Sequence, residues 1–286
     1  MQAFLITAYK DYDQLYELAS YLSEQNKVFI HVDKSSREIS SENVEELNHI
    51  GNCEAISTRE ICWGSFTHVE AILDLIKLAV KDKAVAYLHL ITAQDFPVVS
   101  LDEIERRFEK NTNIYLDYMG PDHLPETVKV RYQYYNWFVN WNVKNKWLWM
   151  LQHITVLLQK LAGVKRKNIG TFTSIYKGLV YISMPRDAAE YVLDYCEEEP
   201  DYLKSLRKCQ VPEEFFFQTL FMNSYFKDRI VKKELRYMNW NRGDGSSPAF
   251  LDESDYDAIC TGDYIFARKF DTTISAKLKE RIMTEI

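Results

Sequence analysis

Along the first 120 residues the apolar positions switch between two periods. Short apolar runs at Ala3–Thr7, Val28–Val32, Ala55–Ser57 and Ala86–Ile91 read as buried strands. Residues 12–24 and 67–80 instead place apolar side chains three and four apart, as in DQLYELASYL and HVEAILDLIKLAV, and read as helices. Strand and helix in alternation predict an α/β fold, a mostly parallel sheet with helices on both faces. Such a sheet takes its ligand beyond the carboxyl ends of the strands. Those ends are Thr7-Ala8-Tyr9, His31-Val32-Asp33-Lys34 and Thr92-Ala93-Gln94-Asp95, and two of the three deliver an aspartate.

The second half predicts a strand at Leu179–Ser183, a helix from Ala188, another after Pro212, a strand at Leu235–Trp240 and a last helix from about Ser275. No repeat or low-complexity linker interrupts the chain. One domain over 1–286 is therefore expected: a strand-and-helix first half (1–120), a helical aromatic-basic insertion (121–175) and a second half (176–286).

Charge changes the picture at the insertion. The net charge is -7, yet no acid occurs between Glu126 and Asp187, while ten Lys and Arg side chains do, Lys144 among them. That window is +10 and the rest of the chain -17. Within residues 137–167, Trp137, Trp141, Trp147, Trp149 and an apolar run lie between lysines, in a stretch too short to span a bilayer. An interfacial membrane helix has this pattern, and so does a helix packed on the domain with a solvated basic flank. No nucleic-acid motif accompanies the patch, and nucleic acid is not an expected partner. Met1 leads straight into AFLIT without a leader-like segment, so a cytoplasmic location is expected, peripheral at the inner membrane if the aromatic-basic window meets lipid.

The five cysteines are scattered without CxxC, and the six His form no HxH or HExxH, so free thiols are expected and no metal held by nitrogen or sulfur. No GxGxxG, GxxxxGK[ST] or serine elbow follows a strand, which removes dinucleotide redox, P-loop and serine-hydrolase chemistry. What remains are carboxylates, basic pairs and aromatics. In Val211-Pro212-Glu213-Glu214-Phe215-Phe216-Phe217 a carboxylate sits at a helix start, where acids are common for the dipole alone. Hemmed by three Phe, it could also serve as a general base. Arg268-Lys269 between Phe266 and Phe270 is either a solvated link or a fork and a point charge for a diphosphate. The strand toward Trp240 and Arg242 has the equipment of a sugar site, with Arg236 able to take the part of Arg242. The DxD strings at Asp11 and Asp255 lie at helix starts and read as caps.

Seven segments in order resemble the core-2/I-branching N-acetylglucosaminyltransferase and peptide O-xylosyltransferase family: IHVDKSS (30–36), WGSFTHVEA (63–71), LITAQDFPV (90–98), G-x-x-Y-x-S (Gly178–Ser183), VPEEFFFQTL (211–220), LRYMNWNR (235–242) and IFARKFD (265–271). The resemblance implies a GT-A-like, Rossmann-like fold and an inverting transferase that uses a UDP-sugar as co-substrate, with no cofactor and no divalent metal. It implies Glu214 as the base, and Asp33, Trp63, Gly64, Asp95 and the strand-end Thr7 around the donor. Arg268 and Lys269 would take the diphosphate, and Arg131, Tyr181, Trp240 and Arg242 fall to the acceptor side. Glycosyl transfer of GlcNAc or xylose to a glycan or lipid-linked glycan is the expectation. A non-catalytic sugar- or nucleotide-binding protein and a membrane adaptor built on 137–167 are the alternatives.

Overall fold

A computed structural model describes residues 1–139, 141, 146–242 and 245–285. Four parallel strands form its centre: β1 (Gln2–Ala8), β2 (Lys27–Val32), β3 (Cys53–Ile56) and β4 (Tyr87–Thr92). Strands β6 (Ile114–Leu116), β7 (Ile182–Pro185) and β8 (Ile230–Val231) extend it in the order β3-β2-β1-β4-β7-β6-β8. The β4–β7 and β7–β6 pairs are antiparallel, so the sheet is mainly rather than wholly parallel. A small second sheet joins β5 (Asp95–Pro97), β10 (Phe266–Arg268) and β9 (Arg236–Met238).

Every residue of β1 is buried because the strand lies in the middle of the sheet, covered on both faces. Successive side chains point to opposite faces. Ala3 and Leu5 enter one core, and Phe4, Ile6 and Ala8 the other. The first core receives α3 (Thr67–Lys81), α7 (Arg186–Glu198) and α9 (Phe216–Met222), through Val69, Ile76, Val192 and Phe217. The second receives α1 (Tyr12–Ser23), α4 (Leu101–Phe108), α10 (Tyr256–Thr261) and α11 (Ala276–Glu285). The expected strands and helices of the first 120 residues are present within a few residues of their expected ends.

Differences appear where apolar content is low or a loop is pinned. Helix α2 (Ser41–Asn48) was not expected; it buries Leu47 and is started by a Ser40–Asn43 capping box, which outweighs its weak apolar stripe. Helices α4, α5 (Glu126–Gln133) and α8 (Pro200–Leu206) also went unread. The strand expected at Leu179–Ser183 begins at Ile182, because Gln218 Nε2 donates to Leu179 O (2.6 Å) and holds that stretch as a loop. The helix after Pro212 starts as a 3-10 turn, Pro212–Glu214, before α9.

The insertion carries α6 (Lys146–Leu161), and this helix docks the opposite way from α3. Its buried residues are Gln152 and Gln159. Gln159 Oε1 accepts from Tyr135 N (2.8 Å) and its Nε2 donates to Tyr135 O (3.0 Å). Gln152 Nε2 donates to Asn136 Oδ1 (2.8 Å). Trp147, Leu157, Leu158 and Leu161 are exposed, as are Trp137 and Trp141. Lys144 lies outside the described residues. Among the described residues no helix is long and apolar enough to cross a membrane. All five cysteines are free thiols.

Candidate active site

The carboxyl ends of β1, β2 and β4 bring the first group of residues together. Thr7 is buried at the end of β1, in register with His31 and Thr92. Asp33 follows β2, and its Oδ1 accepts from Ser35 N (2.9 Å), Ser35 Oγ (2.8 Å) and Ile61 N (3.0 Å). One oxygen therefore fastens the loop that leads to Trp63, which is exposed. Gly64 has φ +74°, a conformation that favours glycine, and its carbonyl accepts from Val211 N (2.8 Å). That bond ties the Trp63-Gly64 turn to the segment carrying Glu214.

The turn Pro212–Glu214 splits its two acids. Glu213 is buried, 3.6 Å from His68 Nδ1. Phe215, Phe216 and Phe217 are fully buried in the first core. Glu214 faces the other way. The sequence suggested a carboxylate hemmed by phenylalanines; the structure instead pairs it with two cations, because consecutive side chains of a helical turn cannot share one face. Its Oε2 accepts from Arg131 Nη1 (2.8 Å) and lies 3.3 Å from Lys177 Nζ. Its Oε1 has no hydrogen-bond partner among the described residues. The sequence marks Lys177 only as one of the ten basic residues of the acid-free window, although it directly precedes the glycine of the G-x-x-Y-x-S segment. Gly178 N donates to Glu214 O (2.9 Å), and a Cβ at Gly178 would stand 1.9 Å from Asp117 O. Glycine is required there for the two loops to meet.

Beyond Asp117 lies a second charged cluster. Asp95 is fully buried, and both its oxygens are committed. Oδ1 accepts from Arg236 Nε, and Oδ2 accepts from Thr92 N (2.6 Å) and Thr92 Oγ1 (2.8 Å) and lies 3.4 Å from Arg268 Nη1. Asp95 thus sits beneath the site as an anchor for two arginines. The Tyr181 ring stacks against them, 3.7 Å from the Arg236 guanidinium carbon and 5.4 Å from that of Arg268. A narrow crevice beside this cluster is lined by Asp117, Tyr181, Glu234, Arg236 and Phe266. Burial pushes the Glu234 carboxyl up to about 7, and its Oε1 has no partner among the described residues. Burial likewise raises the Tyr181 phenol.

Arg268 and Lys269 reach different partners. Arg268 turns inward to Asp95 and Thr92, while Lys269 Nζ donates to Ser246 Oγ (3.1 Å) on the 246–250 loop. Trp240 is exposed. Arg242 is occupied elsewhere: it donates to Phe250 O (2.9 Å), Asp252 Oδ2 (2.9 Å), Ser254 Oγ (2.8 Å) and Asp255 Oδ2 (2.8 Å). It staples its own loop, and Arg236 is the arginine of that segment that reaches the cluster. Asp11 caps α1, its Oδ1 accepting from Gln14 N (3.4 Å). Asp255 precedes α10 but makes no side-chain cap for that helix; its Oδ2 accepts from Asp252 N (3.0 Å) in a capping box. Residues 243 and 244 of the adjoining loop lie outside the described residues.

Comparison with known proteins sets this arrangement in a family. A curated relative, "Xylosyltransferase sqv-6" of Caenorhabditis briggsae, is 24% identical over 230 residues, 78% of this chain and 26% of its own length. The chain thus spans about a quarter of that relative. Among solved structures, mouse xyloside xylosyltransferase 1 aligns over 96% of this chain and 99% of its own at 12% identity, with a TM-score of 0.38. The WbbM bifunctional glycosyltransferase aligns over 93% of this chain and 45% of its own, with the same TM-score and identity. The model of the Core-2/I-Branching enzyme family matches residues 2–259, nearly the whole chain, and takes in the strand ends, the Glu214 turn and Arg236. By that match the chain belongs to the Core-2/I-Branching enzyme family of glycosyltransferases.

Proposed function

We propose that this chain moves GlcNAc or xylose from a UDP-sugar to a hydroxyl of a glycan acceptor, with inversion at the anomeric carbon and without a divalent metal. The observation that carries this reading is the asymmetry of Glu214: one oxygen is held by Arg131 and Lys177 and the other is open. In the reaction the acceptor hydroxyl gives its proton to that open oxygen as its own oxygen bonds to C1 of the sugar. The bond from C1 to the diphosphate breaks on the opposite face, and the electron pair leaves with UDP. A positioned base is worth ~10²–10⁴-fold in rate.

Charge on the leaving diphosphate needs cations. Arg268, stacked on Tyr181, and Lys269, on the 246–250 loop, are the residues we assign to it. A well-aimed donor at such a position is worth about 3 kcal/mol. Metal independence is supported by Asp95, whose two oxygens are already taken by Thr92, Arg236 and Arg268. Asp33, Thr7 and the Trp63-Gly64 turn are assigned to the nucleoside end of the donor, and Tyr181 and Trp240 to the sugar and acceptor side.

Calorimetric titration of UDP in EDTA tests the donor site, and turnover with UDP-GlcNAc and UDP-xylose tests the chemistry. The expectation is UDP binding in EDTA that weakens about tenfold, ~1.4 kcal/mol, in Lys269→Ala. Binding that appears with manganese and vanishes in EDTA would overturn the metal-free reading. UDP binding without turnover for any donor and acceptor pair would leave a non-catalytic binding protein.

A further inference from the structure

Most helices of this molecule bury their apolar stripe. Helix α6 does the reverse. Gln152 and Gln159, seven residues apart and so on one face, clasp backbone and side chain at Tyr135 and Asn136. Asn136 Nδ2 donates in turn to Arg131 O (3.0 Å) and Lys208 O (3.2 Å), which fixes the clasp to the body of the protein. All sixteen residues of the helix are described, and because its only buried ones, Gln152 and Gln159, make polar contacts, it is not a spare piece of core. The spacing of the outward residues is helical: Trp147, Leu151, Ile154, Leu158 and Leu161 recur at three and four, with Leu157 beside them. Trp147 is 74% and Leu161 76% exposed, at opposite ends of the face. This apolar surface costs solubility unless something covers it.

The charge around it says what. Lys146 and Lys160 lie at the two ends of the helix, and Lys165 and Lys167 follow, all exposed. No acid occurs from residue 127 to 186. A second copy docked face to face would bring two +10 windows together, and like charges across an interface oppose association. An apolar helix face edged by Trp and Lys matches the boundary between acyl chains and anionic headgroups. We infer that α6 is a membrane-surface anchor: its outward face enters the headgroup layer of a bilayer rich in anionic lipid, with Lys146, Lys160, Lys165 and Lys167 on the headgroups. Because the clasp runs through Asn136 to Arg131, the partner of Glu214, docking holds the Glu214 side of the molecule near the membrane.

The test uses the full chain in flotation with phosphatidylcholine vesicles, with and without phosphatidylserine. Flotation is expected with phosphatidylserine, at least about tenfold above neutral vesicles, and is expected to fall at high salt. Leu158→Ser/Leu161→Ser should lose binding to both vesicles. Lys146→Glu/Lys160→Glu/Lys165→Glu/Lys167→Glu should lose the preference for phosphatidylserine. Both variants alter exposed positions, and unchanged circular dichroism and UDP titration show that they fold. Absence of flotation by the wild type, or flotation equal in wild type and variants, overturns the inference. So does a dimer in sedimentation that the leucine variant disperses while lipid binding is absent. UDP binding without flotation defeats this inference alone; flotation without turnover defeats the transferase reading alone.

Discussion

Glu214 and Asp95 are each a carboxylate between two cations, yet their surroundings set them to different work. Glu214 stands on a turn, part-exposed, with Arg131 and Lys177 on one oxygen. Asp95 is sealed under the sheet end with Thr92, Arg236 and Arg268 on both. A carboxylate with an open oxygen can receive a proton from a ligand. One with both oxygens engaged by its neighbours holds those neighbours in place. Local composition does not separate the two; exposure and the direction of the cations do.

The sharpest test of that contrast is Glu214→Gln, which keeps size and removes the base. Turnover should fall by ~10²–10⁴-fold with UDP affinity and melting temperature nearly unchanged. A large drop in stability with little change in rate would place Glu214 with Asp95 as a structural group. Asp95→Ala should do the reverse in kind. It leaves the buried Arg236 and the half-buried Arg268 without their counter-charge, and denaturant unfolding should register a loss of about 3–5 kcal/mol. A melting curve matching the wild type would break the comparison from its other side.

A smaller effect is expected from Arg131→Ala, which removes the 2.8 Å contact but leaves Lys177 in place. The rate should fall about tenfold, the scale of one charge-assisted hydrogen bond in a part-exposed setting. An unchanged kcat would show that Lys177 alone orients the base. The smallest effect concerns Glu234, in the crevice it lines with Asp117 and Arg236. Its folded value is raised to about 7 by burial, above its unfolded value. Its contribution to stability is therefore present below the ordinary carboxylate range and lost as pH rises toward and past 7. Glu234→Gln should flatten that slope and raise the unfolding free energy at pH 8 relative to pH 5, by an amount on the order of 1 kcal/mol. Parallel melting curves for the two proteins across that range would remove Glu234 as the titrating group.

Helices α3 and α6 show how far pattern carries. Both have apolar residues at helical spacing. In α3, Val69, Ile72, Leu75, Ile76 and Ala79 are buried, and in α6 the buried residues are glutamines. Periodicity reports that a helix has an apolar face; which face docks depends on what lies beneath it. For α3 that is an apolar sheet. For α6 it is the backbone of residues 135–138, whose N–H and carbonyl groups need partners that leucine cannot supply. The site was legible to a similar degree. Glu214, Asp33 and the Arg268-Lys269 pair stood out as chemistry. Lys177, the inward turn of Arg268, the burial of Asp95 and the diversion of Arg242 into its own loop did not. The Arg236–Asp95 contact joins residues 141 positions apart, and no local pattern registers such a pair.

From its sequence alone this protein has a determined α/β alternation, a parallel centre and a family, because strand and helix periods and ordered motifs are properties of neighbouring residues. Tertiary structure decided which of its charges are spent inside and which remain to act. Whether a carboxylate anchors or reacts depends on how many of its lone pairs are already filled, and the residues that fill them arrive from distant parts of the chain.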